Sequence, residues 1–359
     1  MGLPASAQAI LRQGRLCYLA VDGPLGPHVT PVVFAFHAGR VWGTTARRTV
    51  KARAWRRDPR AAGLIRSGPL VMSFRGSVTT YDALDPGTWG STLRNAPTVA
   101  GAWMRFTLKN APFFAGYAID ARRVPLSWTP PGRVLFSVEI EDGTILDPVA
   151  GQVLERWGRW GARAASRDAF QPSRGRIPDR AVPIEVRRAV GGAGEGVLAL
   201  AGSGGIAVLP ARWARADGDG AYYAALARRL LALAGSGAER AGLVVDRASR
   251  WRAAEMRGLL IRGRADGYVL ARVRSGRDSL IRRVRSAEPL PDELAVVRVR
   301  PDVVAWWKGW SSGTVGGPGG SGGSSPGSRK RRGAERANPR KEWGSRARTR
   351  MDRGGAGVG

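Results

Sequence analysis

Between residues 16 and 81 the apolar positions recur mostly with a period of two. Leu16 to Val21 and His28 to His37 read as antiparallel strands joined by the turn Asp22-Gly-Pro-Leu-Gly, because β-branched and aromatic residues dominate on both sides of it. The segment from Gly39 to Thr45 continues as a strand across an Ala38-Gly39 corner, and Arg60 to Ile65 and Leu70 to Tyr81 add two more around Ser67-Gly68. Ahead of them, residues 5–14 read as a short helix ended by Gly14. Five strands with one interrupting helix predict a small antiparallel barrel, whose closure hides the sheet edges.

The period changes after Thr45. From Thr49 to Arg57 there is neither Gly nor Pro and helix formers dominate, which predicts a short helix capped by Thr49. Hydroxyls at Thr44, Thr45 and Thr49 and cations at Arg47, Arg48, Lys51 and Arg53 therefore collect where a strand ends and a helix begins, a place suited to a phosphate. Arg48 and Lys51 are expected at the rim of a groove, outside the core. Arg47, Arg53, Arg56 and Arg57 are expected to be solvated surface.

Residues 85–122 depart from the strand pattern and read as a helical insertion carrying Trp89, Trp103, Phe106, Phe113, Phe114 and Tyr117. A core role for these rings is the favoured reading; walling a planar ligand is the other. Arg133 to Ile140 resumes a strand, and Val153 to Ala165 reads as a helix leading into the linker that begins Gln171-Pro-Ser-Arg.

The second half resembles a worn copy of the first. Gly196-Val-Leu-Ala-Leu-Ala-Gly parallels the stretch from Gly14 to Gly23, Val208-Leu-Pro parallels Val29-Thr-Pro, Ala241-Gly-Leu parallels Ala62-Gly-Leu, and Ile261-Arg-Gly-Arg parallels Phe74-Arg-Gly-Ser. Four short matches in one order point to duplication. The counterpart of the basic helix, Tyr222 to Ala234, is apolar and lacks lysine, so the second copy is expected to have lost any phosphate site. The organisation expected is a first barrel over 1–150 with its insertion, a helix and linker over 151–183, a degenerate second barrel over 184–310 and a disordered Gly/Ser/Arg-rich tail over 311–359.

Composition narrows the classes. Of 359 residues 43% are hydrophobic, without an uncharged apolar run of about 18 residues that could span a bilayer. The start lacks the blocks of a signal peptide, so a cytoplasmic protein with no membrane partner is expected. One cysteine, Cys17, excludes an internal disulfide, and with His28 and His37 as the only histidines no metal site is expected. The formal charge is +30; from residue 311 onward eleven basic residues face three acidic ones, a surplus of eight that leaves +22 on the body. The body's cations are nearly all dispersed arginines in an Ala, Gly, Val and Pro-rich chain. They are read as surface, and no specific nucleic-acid partner is expected.

The runs Cys17-Tyr-Leu-Ala, Pro27-His-Val-Thr-Pro-Val-Val-Phe, Gly39-Arg-Val-Trp-Gly-Thr-Thr and Arg48-Thr-Val-Lys-Ala-Arg with Arg57-Asp-Pro-Arg resemble the pyridoxamine 5'-phosphate oxidase-like FMN-binding split-barrel flavoproteins, which include the actinobacterial deazaflavin-dependent reductases. Trp306-Trp-Lys-Gly-Trp resembles their terminal strand. The resemblance covers about 20 to 82 well and 194 to 310 faintly. It implies a mainly β fold of two split barrels forming a single-chain pseudodimer, hence a monomer, with FMN or a deazaflavin coenzyme in the groove between them. It also implies that Thr30, Pro31 and Val32 run along the isoalloxazine edge and that Thr45, Arg48, Thr49 and Lys51 hold the phosphate.

The expected function is then flavin- or deazaflavin-dependent hydride transfer to or from a small molecule. The alternative is a non-catalytic or relic binding protein. The residues of a pyridoxal-phosphate substrate site are not identifiable, so pyridoxamine oxidation itself is not expected. No catalytic residue stands out: Asp58 reads as a helix-end residue and His28 and His37 as surface or core. In a flavin enzyme that silence is compatible with activity, because the ring carries the hydride.

Overall fold

Strands β2 (His28–His37) and β3 (Arg40–Ala46) meet across a two-residue turn in which Ala38 (φ 47°) and Gly39 (φ 74°) are both left-handed. That turn's twist matches the twist of the strands it joins, and glycine takes its second position without a steric penalty. Helix α1 (Ala5–Gln13) stops at Gly14 and leads into β1 (Leu16–Val21), which pairs with β2 along its whole length. The structure, a computed structural model, describes residues 2–120, 122, 124, 132–160, 177, 181–215, 220–235, 237–247, 252–270 and 294–316, with side chains from 267 to 270 excepted.

The protein is mainly β, as the pattern predicts. The first sheet has the order β3-β2-β1-β4-β5-β6-β7, with β4 at Arg60–Ser67, β5 at Leu70–Tyr81, β6 at Arg133–Asp147 and β7 at Gln152–Trp157. Because β3 also pairs with β6, six strands close into a barrel and β7 extends it. The barrel thus has six strands where five were expected. The sixth, β6, runs on past Ile140 through an irregularity opposite Arg75 and Gly76 and pairs with β7 as well.

Residues 153–157 were expected in a helix and form most of strand β7. Along β7 exposed and half-buried residues alternate, so Val153, Glu155 and Trp157 share one side with the period of a strand, although Leu, Glu and Arg also suit a helix. Three helices fill the insertion between β5 and β6: α3 (Trp89–Arg94), α4 (Ala96–Lys109) and α5 (Ala111–Ile119).

After α6 (Ile184–Val190) the second sheet repeats the first. Its order is β10-β9-β8-β11-β12-β13-β14, closed by β10 against β13, with β8 at Ala193–Gly202, β9 at Gly205–Arg215, β10 at Tyr222–Ala227, β11 at Arg240–Arg247, β12 at Arg257–Leu270, β13 at Leu294–Lys308 and β14 at Ser311–Gly316. Two expectations change here. Tyr222–Ala227, read as helix, is the strand that closes the second barrel, and only Arg228–Leu231 forms an α-helix, α7. Residues 311–316, assigned to the tail, are a sheet strand paired with β13. The expected helix over 161–165, the linker from 171 apart from Ile177, and the tail beyond 316 lie outside the described residues.

The ladders make the correspondence between the sheets specific. Pro31 stands opposite Tyr18 in the first sheet and Pro210 opposite Val197 in the second, as the match of Val29-Thr-Pro with Val208-Leu-Pro requires. Arg75-Gly76 and Arg262-Gly263 each sit at a ladder irregularity. The match of Ala62-Gly-Leu with Ala241-Gly-Leu is one residue off: Ala62 faces Arg75 and Gly242 faces Arg262.

Side chains along each strand divide between two cores. Cys17, Leu19, Phe34, Met72, Phe74 and Phe136 fill the first barrel. Ala20, Val29, Ala62, Leu64 and Val71, on the other faces of the same strands, join the core of the second barrel. That continuous apolar layer, with β2 packed on β11 and β12 while β9 packs on β4 and β5, holds the two sheets together.

Candidate functional site

Each barrel is open along part of one seam. Strand β2 pairs with β1 over His28–Val33, and its ladder with β3 covers only Phe34–His37. Thr30, Pro31 and Val32 therefore lie where β2 has left β3, and all three are half-buried. Proline is tolerated at such a position because its missing N–H removes no ladder bond on the open side.

Helix α2 (Val50–Trp55) follows β3 beside this opening. Thr49 caps it as expected, its Oγ1 accepting from the Ala52 N–H at 3.3 Å, and Thr45 Oγ1 lies 3.0 Å from Thr49 Oγ1. The junction thus brings Thr45 and Thr49 together. Arg48, on the turn before the helix, is exposed.

Lys51 differs from expectation. It lies inside the barrel, 3% exposed, with Nζ 2.5 Å from Thr30 Oγ1 and 3.5 Å from the carbonyl oxygens of Leu19 and Thr30. The reason is local: a helix residue two places past the Thr49 cap, on the face shared with buried Ala54 and Trp55, is directed at the sheet. Burial pushes its ammonium down to about 7; the nearby Cys17 opposes the shift and the Arg133 guanidinium adds to it. Cys17, fully buried, is pushed up to about 12 by its own desolvation, against the pull of Lys51.

Sequence reading missed Arg133. It starts β6 beside the end of β3 and donates through Nε to Thr44 Oγ1 and through Nη2 to the Thr44 carbonyl, both at 2.9 Å. Burial lowers its pKa, and Tyr117 on α5 acts in the opposite sense. The Tyr117 ring in turn meets Trp310 of the second sheet edge to face, with centroids 5.0 Å apart. A cation at the restart of a strand was the available signal, but the sequence does not show that β3 and β6 are neighbours.

Arg47, expected to be solvated, pairs with the buried carboxylate of Asp82, which also accepts from the Leu84 N–H. The pair ties the β3 end to the start of the insertion. His28, at the inter-barrel end of β2, has its basicity lowered by burial, with Arg262 and Lys51 acting in the same direction, and stays neutral.

At the matching positions the second barrel lacks the hydroxyls and the inward cation, although Arg229 stands where exposed Arg48 does. Ladder register puts Leu209 where Thr30 is, Ala225 and Leu226 where Thr44 and Thr45 are, and Leu294 where Arg133 is, and all four are buried. The first seam alone joins a buried lysine, a half-buried arginine and four threonine hydroxyls beside an open strand edge.

Among the described residues no cluster of three metal-ligating side chains occurs. No protein-family model and no curated protein sequence matches the chain. Among solved structures it is similar to a pyridoxamine 5'-phosphate oxidase-related, FMN-binding protein of Nostoc punctiforme, at 19% identity over 40% of this chain and 82% of that one, with a TM-score of 0.31. An FAD-binding protein of Mesorhizobium loti is similar at 18% identity over 40% and 94%, with a TM-score of 0.29, and an F420 reductase at 18% over 40% and 98%, with a TM-score of 0.27.

Proposed function

We propose that the first seam binds a flavin or deazaflavin cofactor and that the protein is an oxidoreductase of the split-barrel type acting on a small molecule. The observation that carries this reading is the buried Lys51 ammonium. Of the ionisable groups beside it, Cys17 is a neutral thiol and Arg133 a second cation, and its near contacts are a hydroxyl and two carbonyl oxygens at the edge of hydrogen-bond range. A cation held in that way beside a second cation is stabilised by an incoming anion, and a cofactor phosphate supplies one.

In this reading Lys51 takes up a proton as the phosphate arrives, while Thr45 and Thr49 donate their hydroxyl hydrogens to it. Arg48, exposed at the turn, closes over the phosphate with its planar fork. The open edge of Thr30, Pro31 and Val32 would lie along the ring. A bound flavin or deazaflavin would supply the hydride chemistry.

We further infer that the two barrels are a tandem pair in which one chain replaces a homodimer, with one working seam and one filled by Leu209, Leu226 and Leu294. The chain should then sediment as a monomer. The test of function is the purified full-length protein: a flavin or deazaflavin absorbance band, and the mass of the ligand released on denaturation, either FMN or a deazaflavin. A colourless protein that binds neither cofactor when each is added would overturn the reading.

A further inference from the structure

Ten large hydrophobic side chains are exposed among the described residues, and seven of them fall between Leu84 and Ile119. Helix α4 shows why this is unusual. Its Ala102, Phe106 and Asn110 cap repeat every four residues and are buried, with Asn110 Nδ2 reaching the Phe34 carbonyl of β2 at 3.4 Å. A helix so seated ordinarily turns a polar face to water. Instead Met104 is 62% and Leu108 69% exposed, Trp103 flanks them, and Leu93 of α3 is 75% exposed. Exposed apolar surface concentrated in one region marks a binding face.

The charge of this region selects the occupant. Between Asp85 and Asp120 there is no carboxylate, and Arg94, Arg105 and Lys109 are its only charged residues. Arg94 and Arg105 are exposed beside the apolar side chains, and the whole chain carries +30. A second copy of the chain would bring the same surplus of positive charge against this face and be repelled. The headgroup layer of a bilayer containing anionic lipid offers the complement, with negative charge for the arginines and an apolar boundary for leucine, methionine and tryptophan. The longest of these helices, α4, has 14 residues, and no helix among the described residues is long and apolar enough to cross a membrane. Contact is therefore with the surface.

We propose that the α3–α5 insertion docks the protein on an anionic lipid surface. This replaces the expectation of no membrane partner and does not depend on the cofactor reading. The test is co-sedimentation of the full-length protein with vesicles of phosphatidylcholine alone and of phosphatidylcholine mixed with phosphatidylglycerol. The wild type should bind the mixed vesicles and not the neutral ones. The triple variant Leu93→Gln, Met104→Gln, Leu108→Gln should bind the mixed vesicles about tenfold more weakly. It replaces only exposed side chains with a good helix former, so the fold and any bound cofactor should be retained. The variant Leu154→Gln, Ile184→Gln, at exposed apolar positions outside the insertion, should bind as the wild type does. Equal binding by the triple variant and the wild type, or no binding of the wild type to either vesicle, would overturn the proposal. So would a wild-type dimer that the triple variant dissociates, since the face would then belong to a second copy.

Discussion

Arg75 and Arg262 occupy the same position in the two barrels, and each reaches across to the main chain of the other. Arg75 Nε donates to the Ile206 carbonyl at 2.7 Å, and Arg262 Nη2 donates to the Gly26 carbonyl at 2.6 Å. Both are buried, and each precedes a glycine with no room for a side chain: a Cβ on Gly76 would stand 1.9 Å from the Glu139 carbonyl and one on Gly263 1.9 Å from the Arg300 carbonyl. The contact between the barrels is thus self-complementary, as in a twofold dimer, although one chain supplies both halves.

Arg75→Leu and Arg262→Leu should each destabilise the protein, by about 1.5 to 3 kcal/mol for each charge-assisted bond lost. Urea unfolding measures this. Both arginines bond main chain of the other barrel, so both losses should be measurable, with Arg75 also losing its stacking on Trp160; a large loss at one site and none at the other would contradict the reciprocal contact.

Gly76→Ala and Gly263→Ala test the bulges from the other direction. The added methyl must displace a backbone carbonyl, so each substitution should cost about 1 to 3 kcal/mol by overpacking, read as a lower melting temperature. Unchanged melting at either site would contradict the close approach.

The buried Lys51 sets a pH dependence. Its usual value of 10.5 falls to about 7 in the folded protein, so between these values the unfolded chain holds a proton that the folded one does not. Stability should rise with pH across that window, the cost of burying the ammonium being felt in full below about 7. Lys51→Met should be more stable than the wild type below pH 7 and should flatten this rise, as followed by denaturant unfolding at a series of pH values. A rise of the same size in the variant would assign it elsewhere.

Across the barrel interface Tyr18 donates its phenol proton to Asp246 Oδ1 at 3.1 Å. Burial raises Asp246 from 3.8 to about 6, with the Tyr18 bond and the Arg66 charge opposing the rise. The folded state therefore holds this proton more tightly than the unfolded chain, and the contribution, full below about 4, is lost as pH rises through about 6. Asp246→Asn should remove that fall. Tyr18→Phe should cost about 1 to 3 kcal/mol above pH 6 and less at lower pH, where the carboxyl is protonated.

Much of the first barrel could be read from residue order because its signals are local. The Ala38-Gly39 corner, the Thr49 cap and the Gly14 stop each act within a few residues of themselves. The match of Arg75-Gly76 with Arg262-Gly263 was legible for a related reason, since a bulge needs its glycine in both barrels. What escaped depends on neighbours distant in sequence. Whether Lys51 points to water or inward is set by where α2 meets the sheet, and the Arg133 site exists only because β6 closes against β3. Tyr222–Ala227 has helix-forming alanine and leucine, yet becomes a strand because the ladders of β9 and β13 leave that place to be filled.

The most direct test of the seam as a phosphate site is a calorimetric titration of the full-length protein, freed of any bound ligand, with FMN and with a deazaflavin coenzyme below pH 7. The unaltered protein should bind one molecule per chain. Lys51→Ala with Arg48→Ala should weaken binding about a hundredfold or more, as expected for two charge-assisted contacts. The paired change Arg228→Ala, Arg229→Ala on α7, where the second seam is apolar, should leave the affinity unaltered. Equal affinity in all three proteins, or two molecules bound per chain, would contradict a cofactor phosphate held in the first seam alone.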